Sequence, residues 1–260
     1  MRVQTGERSA TWRCRRMLAA AVACAAGICA TSTVWAQSAG YPQKPVRVFV
    51  PYGPGGVGDL TMRLLAVPDK SPYRSLKDLV DAAQKGPGKI NLGAINPGST
   101  QNLSAHLFQQ VTGAQYTVIP FRTTPDLVTA LLRGDVDLGF DYYAALQGVI
   151  GPDKIRIIAT SGERRNPLLK DVPTARESGF PDYIVTSWNG LGAPAKVPAE
   201  IVTILNAAVN KALSDPELKA KTLSLGMEAS GSTPQQMHDR LAADAAKWRE
   251  VIEKAGIPKE

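Results

Sequence analysis

Apolar and polar residues alternate along this chain with two different periods. Short β-branched runs are "VRVFV" at 46–50, "INLGA" at 90–94, "YTVIP" at 116–120, "DVDLGF" at 135–140 and "KIRIIAT" at 154–160. Between them lie stretches with apolar residues three and four apart, the spacing of a helix with one buried face. "DLTMRLLA", from Asp59 to Ala66, reads as one such helix, followed by "VPDKSPYRS", where Pro68 and Pro72 speak against a central strand. "SLKDLVDAAQ" begins at Ser75 with Asp78 three residues on, a capping-box spacing that would bury Leu76, Leu79, Val80 and Ala83. "NLSAHLFQQV" is a further helix. "TTPDLVTALLRG" offers Thr124 as cap, Pro125 in the first turn and Gly134 as stop, with Leu127, Val128, Leu131 and Leu132 facing inward.

Strand and helix in alternation predict an α/β fold with parallel strands and crossover helices. The last third differs. "VTSWNGLGAPAKVP" is a Gly/Pro-punctuated extended segment, and three helices follow: "AEIVTILNAAVNKAL", "DPELKAKTLSLG" with Ser214 as cap, and "TPQQMHDRLAADAAKWREVIEKAG" with Thr233 as cap.

The first 36 residues change the picture of where the chain works. Five arginines, the apolar run "MLAAAVACAAGICA" and the small-residue site "VWA" have the form of a secretory signal peptide cleaved near Ala36/Gln37. The apolar run is too short to cross a bilayer. Cys14, Cys24 and Cys29 all lie within that leader, so residues 37–260 hold no thiol for a disulfide, a metal or a nucleophile. The leader also takes five of the 30 basic and one of the 23 acidic residues; 25 against 22 remain, a net charge of +3. No Lys/Arg run interleaves with aromatics, and no nucleic-acid partner is expected.

The chemistry-bearing segments are loops. "PYGPGGVGD" contains Gly53, Gly55 and Gly58 in GxGxxG spacing after an apolar run. The acidic residue that should end a second strand is missing, and no Gly-Lys-Ser/Thr follows, so a nucleotide loop is disfavoured. What survives is a turn of glycines before a helix start, where N–H groups and a partial positive charge suit a carboxylate; a plain tight turn fits the residues equally. "NPGSTQN", Asn96 to Asn102, also follows a strand and opens a helix, and Ser99 and Thr100 serve equally as helix caps or as ligand donors. There is no GxSxG elbow. His106 and His238, in "NLSAHLF" and near Asp239, lack any metal-ligand spacing. Asp135 and Asp137 read as strand-end caps, Arg122 as a surface ion-pair former that is also placed to meet a carboxylate. No catalytic residue, metal or cofactor is expected.

Several motifs in one order carry a resemblance. "YPQKPVRVFVPYGPGGVGD", through Tyr41, Pro42, Lys44, Pro45, Pro54, Gly55, Gly56 and Asp59, resembles the start of the Bug-type solute receptors of tripartite tricarboxylate transporters. "GKINLGAINPGSTQNLSAHLF", "VIPFRTTPDLVTALLRGDVDLGFDY", "DVPTARESGFPDY" and "SWNGLGAPAKVP" are similar to later parts of those receptors. The resemblance implies a type II-like, two-lobed periplasmic binding protein, monomeric, that closes on a small carboxylate and delivers it to membrane permease subunits. It implies ligand contacts at Tyr52, Gly53, Gly55, Gly56 and Asp59, at Gly98, Ser99, Thr100 and Gln101, and at Thr123, Thr124 and Asp141. Thr123 stands where the family often has glycine, Asn102 where it often has histidine.

The same resemblance implies a lobe one of residues 37–71 and 189–260, and a lobe two of 72–188. It breaks between Ala66 and Ser71, where the family has a further strand and glycine-rich loop, so lobe one is expected to be truncated and binding impaired. Two alternatives remain open at this point: a secreted α/β enzyme using the glycine loop on a phosphate or nucleotide, and a degenerate receptor that keeps only a protein-interaction role.

Overall fold

A computed structural model describes residues 41–42, 44–47 and 63–257. The signal-peptide region and the glycine loop from Tyr52 to Asp59 lie outside the described residues. By contact the chain divides into two units, one comprising residues 1–49 with Lys196–Thr203, the other Val50–Ala195 with Ile204–Glu260. In the first, the described part is a short irregular segment and the opening turns of a helix. The second holds the sheet.

Its elements are β1 (Arg63–Pro68), α1 (Leu76–Lys85), β2 (Asn91–Ile95), α2 (Thr100–Thr112), β3 (Thr117–Phe121), α3 (Thr124–Arg133), β4 (Leu138–Tyr142), α4 (Tyr143–Leu146) and β5 (Ile155–Thr160). Then come α5 (Ala199–Leu213), which begins in the first unit, α6 (Pro216–Ser224) and α7 (Pro234–Ala255). The strands lie in the order β3-β2-β4-β1-β5. β2 pairs parallel with β3 and β4, whereas β1 pairs antiparallel with both β4 and β5.

The sheet is therefore mixed, not wholly parallel, and the reason is β1. Arg63 to Ala66, expected at the end of a helix, form a strand beside the centre of the sheet. Leu65 and Val67 enter one core, with α1 and α2; Leu64 and Ala66 enter the other, with α3. A strand buried on both faces is a continuous apolar run and loses the alternation that marks it in sequence. Pro68 closes this strand and does not interrupt it. The backbone across Ala66 to Ser71, where the resemblance breaks, is paired: Pro68 lies opposite Ile155, the Asp69 N–H donates to the Lys154 carbonyl at 3.0 Å, and the Ser71 N–H to that of Pro68 at 2.9 Å.

Local capping behaves largely as the sequence implies. Ser75 and Asp78 form both halves of a capping box on α1, whose buried residues are Leu76, Leu79, Val80 and Ala83. Thr233 and Gln236 do the same for α7. Two caps sit one residue from their expected places, Thr123 instead of Thr124 on α3 and Asp215 instead of Ser214 on α6. On α3, Ala130 is buried with Leu127 and Leu131, while Leu132 is 47% exposed. Phe108 of α2 anchors the larger core, with ring centroids of Tyr183, Tyr116 and Phe140 at 5.2, 5.4 and 5.8 Å. Asp137 caps a strand end as expected, its carboxylate accepting the Asn91 N–H at 2.8 Å.

Candidate functional site

The strand directions gather the chemistry at one edge. β2, β3 and β4 end there, β1 begins there with Arg63 opposite Tyr142, and β5 ends there with Thr160 opposite Leu64. α2 and α3 start at the same edge, following β2 and β3. Such carboxyl ends of parallel strands are where open α/β sheets hold ligands.

Asp141 is the centre of this edge and is wholly buried. One carboxylate oxygen accepts the Thr124 hydroxyl at 2.6 Å, from the first turn of α3. The other accepts the Tyr142 N–H at 2.8 Å and the Gln101 side-chain amide at 3.4 Å, from the first turn of α2. Burial raises the Asp141 carboxyl above its ordinary value, opposed by these three donors and by the positive charge of Arg63. One buried carboxylate thus ties two helix starts to the end of β4.

The network continues inward. Tyr142 donates its hydroxyl to the Gln101 side-chain carbonyl at 3.2 Å and accepts from the Arg63 guanidinium at 3.3 Å. The same guanidinium stacks over the Tyr142 ring, 3.8 Å from its centroid. Arg63 is fully buried, and desolvation lowers its pKa against the attraction of Tyr142, Asp141 and Tyr183. Its side chain also donates to the Ser187 hydroxyl at 2.7 Å.

The expected contact residues divide by what their side chains already do. Ser99 caps α2, accepting from the Asn102 N–H at 3.1 Å and donating to the Ile95 carbonyl. Thr123 caps α3 and bonds Asp126 at 2.7 Å. Gly98 has φ +78° and gives its N–H to the Asn102 side chain at 3.2 Å, so Asn102 shapes the loop from within. Gln101, Thr124 and Asp141 are brought together; Ser99, Thr123 and Gly98 frame them. Thr100 occupies the first position of α2. What the edge still offers a ligand is backbone: the first-turn N–H groups of Thr100, Gln101 and Thr124 have no intrahelical acceptor, and they carry the positive ends of two helix dipoles.

Sequence reading missed Arg63, Tyr142, Ser161 and Ser187. A usable signal for Arg63 was present, since a lone arginine inside the apolar run "MRLLAVP" needs a buried partner. Of the two histidines, His106 is half-buried on α2 with its pKa lowered by desolvation. It lines a groove of about 380 Å³ with Gln109, Gln110, Tyr116 and Lys254, formed by α2, β3 and α7. Among the described residues no cluster of His, Cys, Asp or Glu is placed to hold a metal ion.

A family model described as "Tripartite tricarboxylate transporter family receptor" matches residues 57–257. BugT of Bordetella pertussis is 27% identical over 215 residues, 83% of this chain and 65% of that protein. A Pseudomonas protein encoded in the tcbD-tcbE intergenic region is 27% identical over 213 residues, 82% of this chain and 63% of that protein. The chain thus spans less than two thirds of the length of these curated relatives. An R. palustris protein solved with adipate is 33% identical with a TM-score of 0.65, over 77% of this chain and 68% of that one. MatC from Rhodopseudomonas palustris, solved with bound malate, is 27% identical with a TM-score of 0.59, over 74% and 67%.

Proposed function

We propose a receptor function for this chain, which belongs to the tripartite tricarboxylate transporter receptor family. It holds a small carboxylate in the periplasm and presents it to the membrane permease subunits of such a transporter, without chemical turnover. The observation that carries this reading is the pair of helix starts tied together by Asp141. The first-turn N–H groups of Thr100 and Gln101 on α2 and of Thr124 on α3 lack intrahelical acceptors at one edge, and the buried Arg63 offsets the charge of Asp141. A dicarboxylate has the charge and the acceptor oxygens that such an edge lacks. Two structural relatives solved with adipate and with malate fit that chemistry.

The lobes follow from the same reading. Lobe two is built on the sheet from Arg63 to Thr160, so residues 63–71 go with it. The shortening in this reading is the one the resemblance implies, between Ala66 and Ser71. It weakens binding while the two helix starts remain.

Calorimetric titration of the purified chain with adipate and malate tests this. Saturable heat, at lower affinity than the adipate-binding R. palustris relative measured alongside, is the expected result. Absence of binding to either dicarboxylate contradicts it.

A further inference from the structure

We propose that binding of a carboxylate at the two helix starts is linked to uptake of a proton by Asp141, with the Thr124 hydroxyl as the group that turns. The inference rests on the receptor reading and assigns a regulation to that same site.

Asp141 sits where a second negative charge is poorly tolerated. It is wholly buried, and Leu64, its cross-strand partner on β1, belongs to the apolar core with Ile95, Leu127 and Leu146. Directly opposite residues of an antiparallel pair share one face of the sheet, so the carboxyl lies at the margin of that core. Burial is the largest influence on it and raises it; Thr124, the Tyr142 N–H, Gln101 and, least, the charge of Arg63 act against burial. The neighbouring titratable groups are the phenols of Tyr142 and Tyr143 and, on the first turn of α3, the exposed Asp126, which accepts from the Thr123 hydroxyl. On α2 the nearest is His106, which lines the groove beside β3 and α7 instead.

A carboxylate held by the N–H groups of Gln101 and Thr124 is received by the two residues whose side chains already hold Asp141, one on each of its oxygens. Two like charges brought together in a buried setting disfavour each other, and a carboxyl raised by burial is the one that takes a proton.

Three donors meet Asp141, and one of them can reverse. The Tyr142 N–H and the Gln101 amide N–H donate to Oδ1, and neither nitrogen can accept. Gln101 is kept in this orientation by the Tyr142 hydroxyl, which donates to its Oε1 at 3.2 Å. The partner of Oδ2 is a hydroxyl, at 2.6 Å, and a hydroxyl accepts as well as it donates. A solvent proton placed on Oδ2 is donated to Thr124 Oγ1, and the hydroxyl's own hydrogen swings away from Asp141. Thr124 is half-buried at the start of α3, so the freed hydrogen is available to the bound carboxylate as a further donor. The sign follows. A ligand that raises the Asp141 carboxyl further binds more tightly at low pH, and its affinity falls as pH rises between the free and the liganded values.

Calorimetry of the full chain with adipate, in buffers of different ionisation enthalpy over about pH 5–8, tests this. The wild type is expected to take up as much as about one proton per adipate, so that affinity falls by at most about tenfold per pH unit. Asp141→Asn, whose amide can stand in for the protonated acid, is expected to lose that uptake; protonation of adipate itself is common to both chains and cancels. Thr124→Val, which removes the acceptor for the proton, should lose it too, and Thr124→Ser should restore it. The Tyr142 amide resonance of the wild type gives a second reading, its pH midpoint rising when adipate is added. Equal proton uptake in wild type and Asp141→Asn overturns the linkage, as does a Tyr142 midpoint that adipate leaves in place. If neither adipate nor malate binds at any pH, the receptor reading falls and the linkage with it, whereas binding without proton uptake sinks the linkage alone.

Discussion

The Thr124 hydroxyl donates to the Asp141 carboxylate at 2.6 Å, joining the first turn of α3 to the end of β4. This bond is the shortest of the three that Asp141 accepts. Removing a donor from a buried carboxylate leaves the charge incompletely paired, at a cost of about 1–3 kcal/mol. Thr124→Val, nearly isosteric, is therefore expected to destabilise the chain by that amount, and Thr124→Ser to recover most of it. Urea unfolding measures both.

Two kinds of carboxyl group give opposite dependences on pH. Asp78 and Glu177 are exposed, and backbone and side-chain donors hold both below the ordinary carboxylate range: from Ser75 for Asp78, from Thr174 and Arg165 for Glu177. A lowered folded-state value means stability present above the ordinary range and lost as pH falls through it. Asp141 is raised by burial, so its contribution is present at low pH and is lost as pH rises from the ordinary range towards its raised value. Glu177→Gln is expected to destabilise at about pH 7 and to converge on wild type near pH 2–3. Thermal unfolding across that range checks the convergence.

Two glycines set how closely α3 approaches the sheet. A Cβ on Gly93 would lie 2.4 Å from a methyl of Leu127, and one on Gly139 2.8 Å from a methyl of Leu131. Gly93→Ala is expected to cost about 1–3 kcal/mol through overpacking. Gly139→Ala, with a larger gap and one flexible side chain opposite, costs less. Because Leu127 sits one turn from Thr124, Gly93→Ala also displaces the start of α3, and ligand affinity should fall along with stability.

Helix punctuation was legible in the sequence because it is local. Ser75 with Asp78, Thr233 with Gln236, and Gly134, which has φ +78°, each announce a helix end within four residues of chain. The one-residue displacement at Thr123 follows from the pair of adjacent threonines, either of which can cap; Thr124 is drawn instead to Asp141, a partner invisible to local pattern. β1 was hidden for a related reason. Its residues are buried on both sides by α1, α2 and α3, so its alternation exists only after the sheet has formed. The relay from Arg63 to Asp141 joins residues 79, 41 and 40 positions apart at successive steps and has no sequence period to betray it. α5 shows the converse: "AEIVTILNAAVNKAL" has the pattern of an amphipathic helix, yet none of its residues is buried.

The most direct measurement is a titration of the isotope-labelled chain with adipate, followed by the backbone amide resonances. Saturable shifts centred on Thr100, Gln101 and Thr124, and their disappearance in Asp141→Ala with the fold intact, are the predicted result. An absence of shifts at these three amides, or saturable shifts centred elsewhere, contradicts the account.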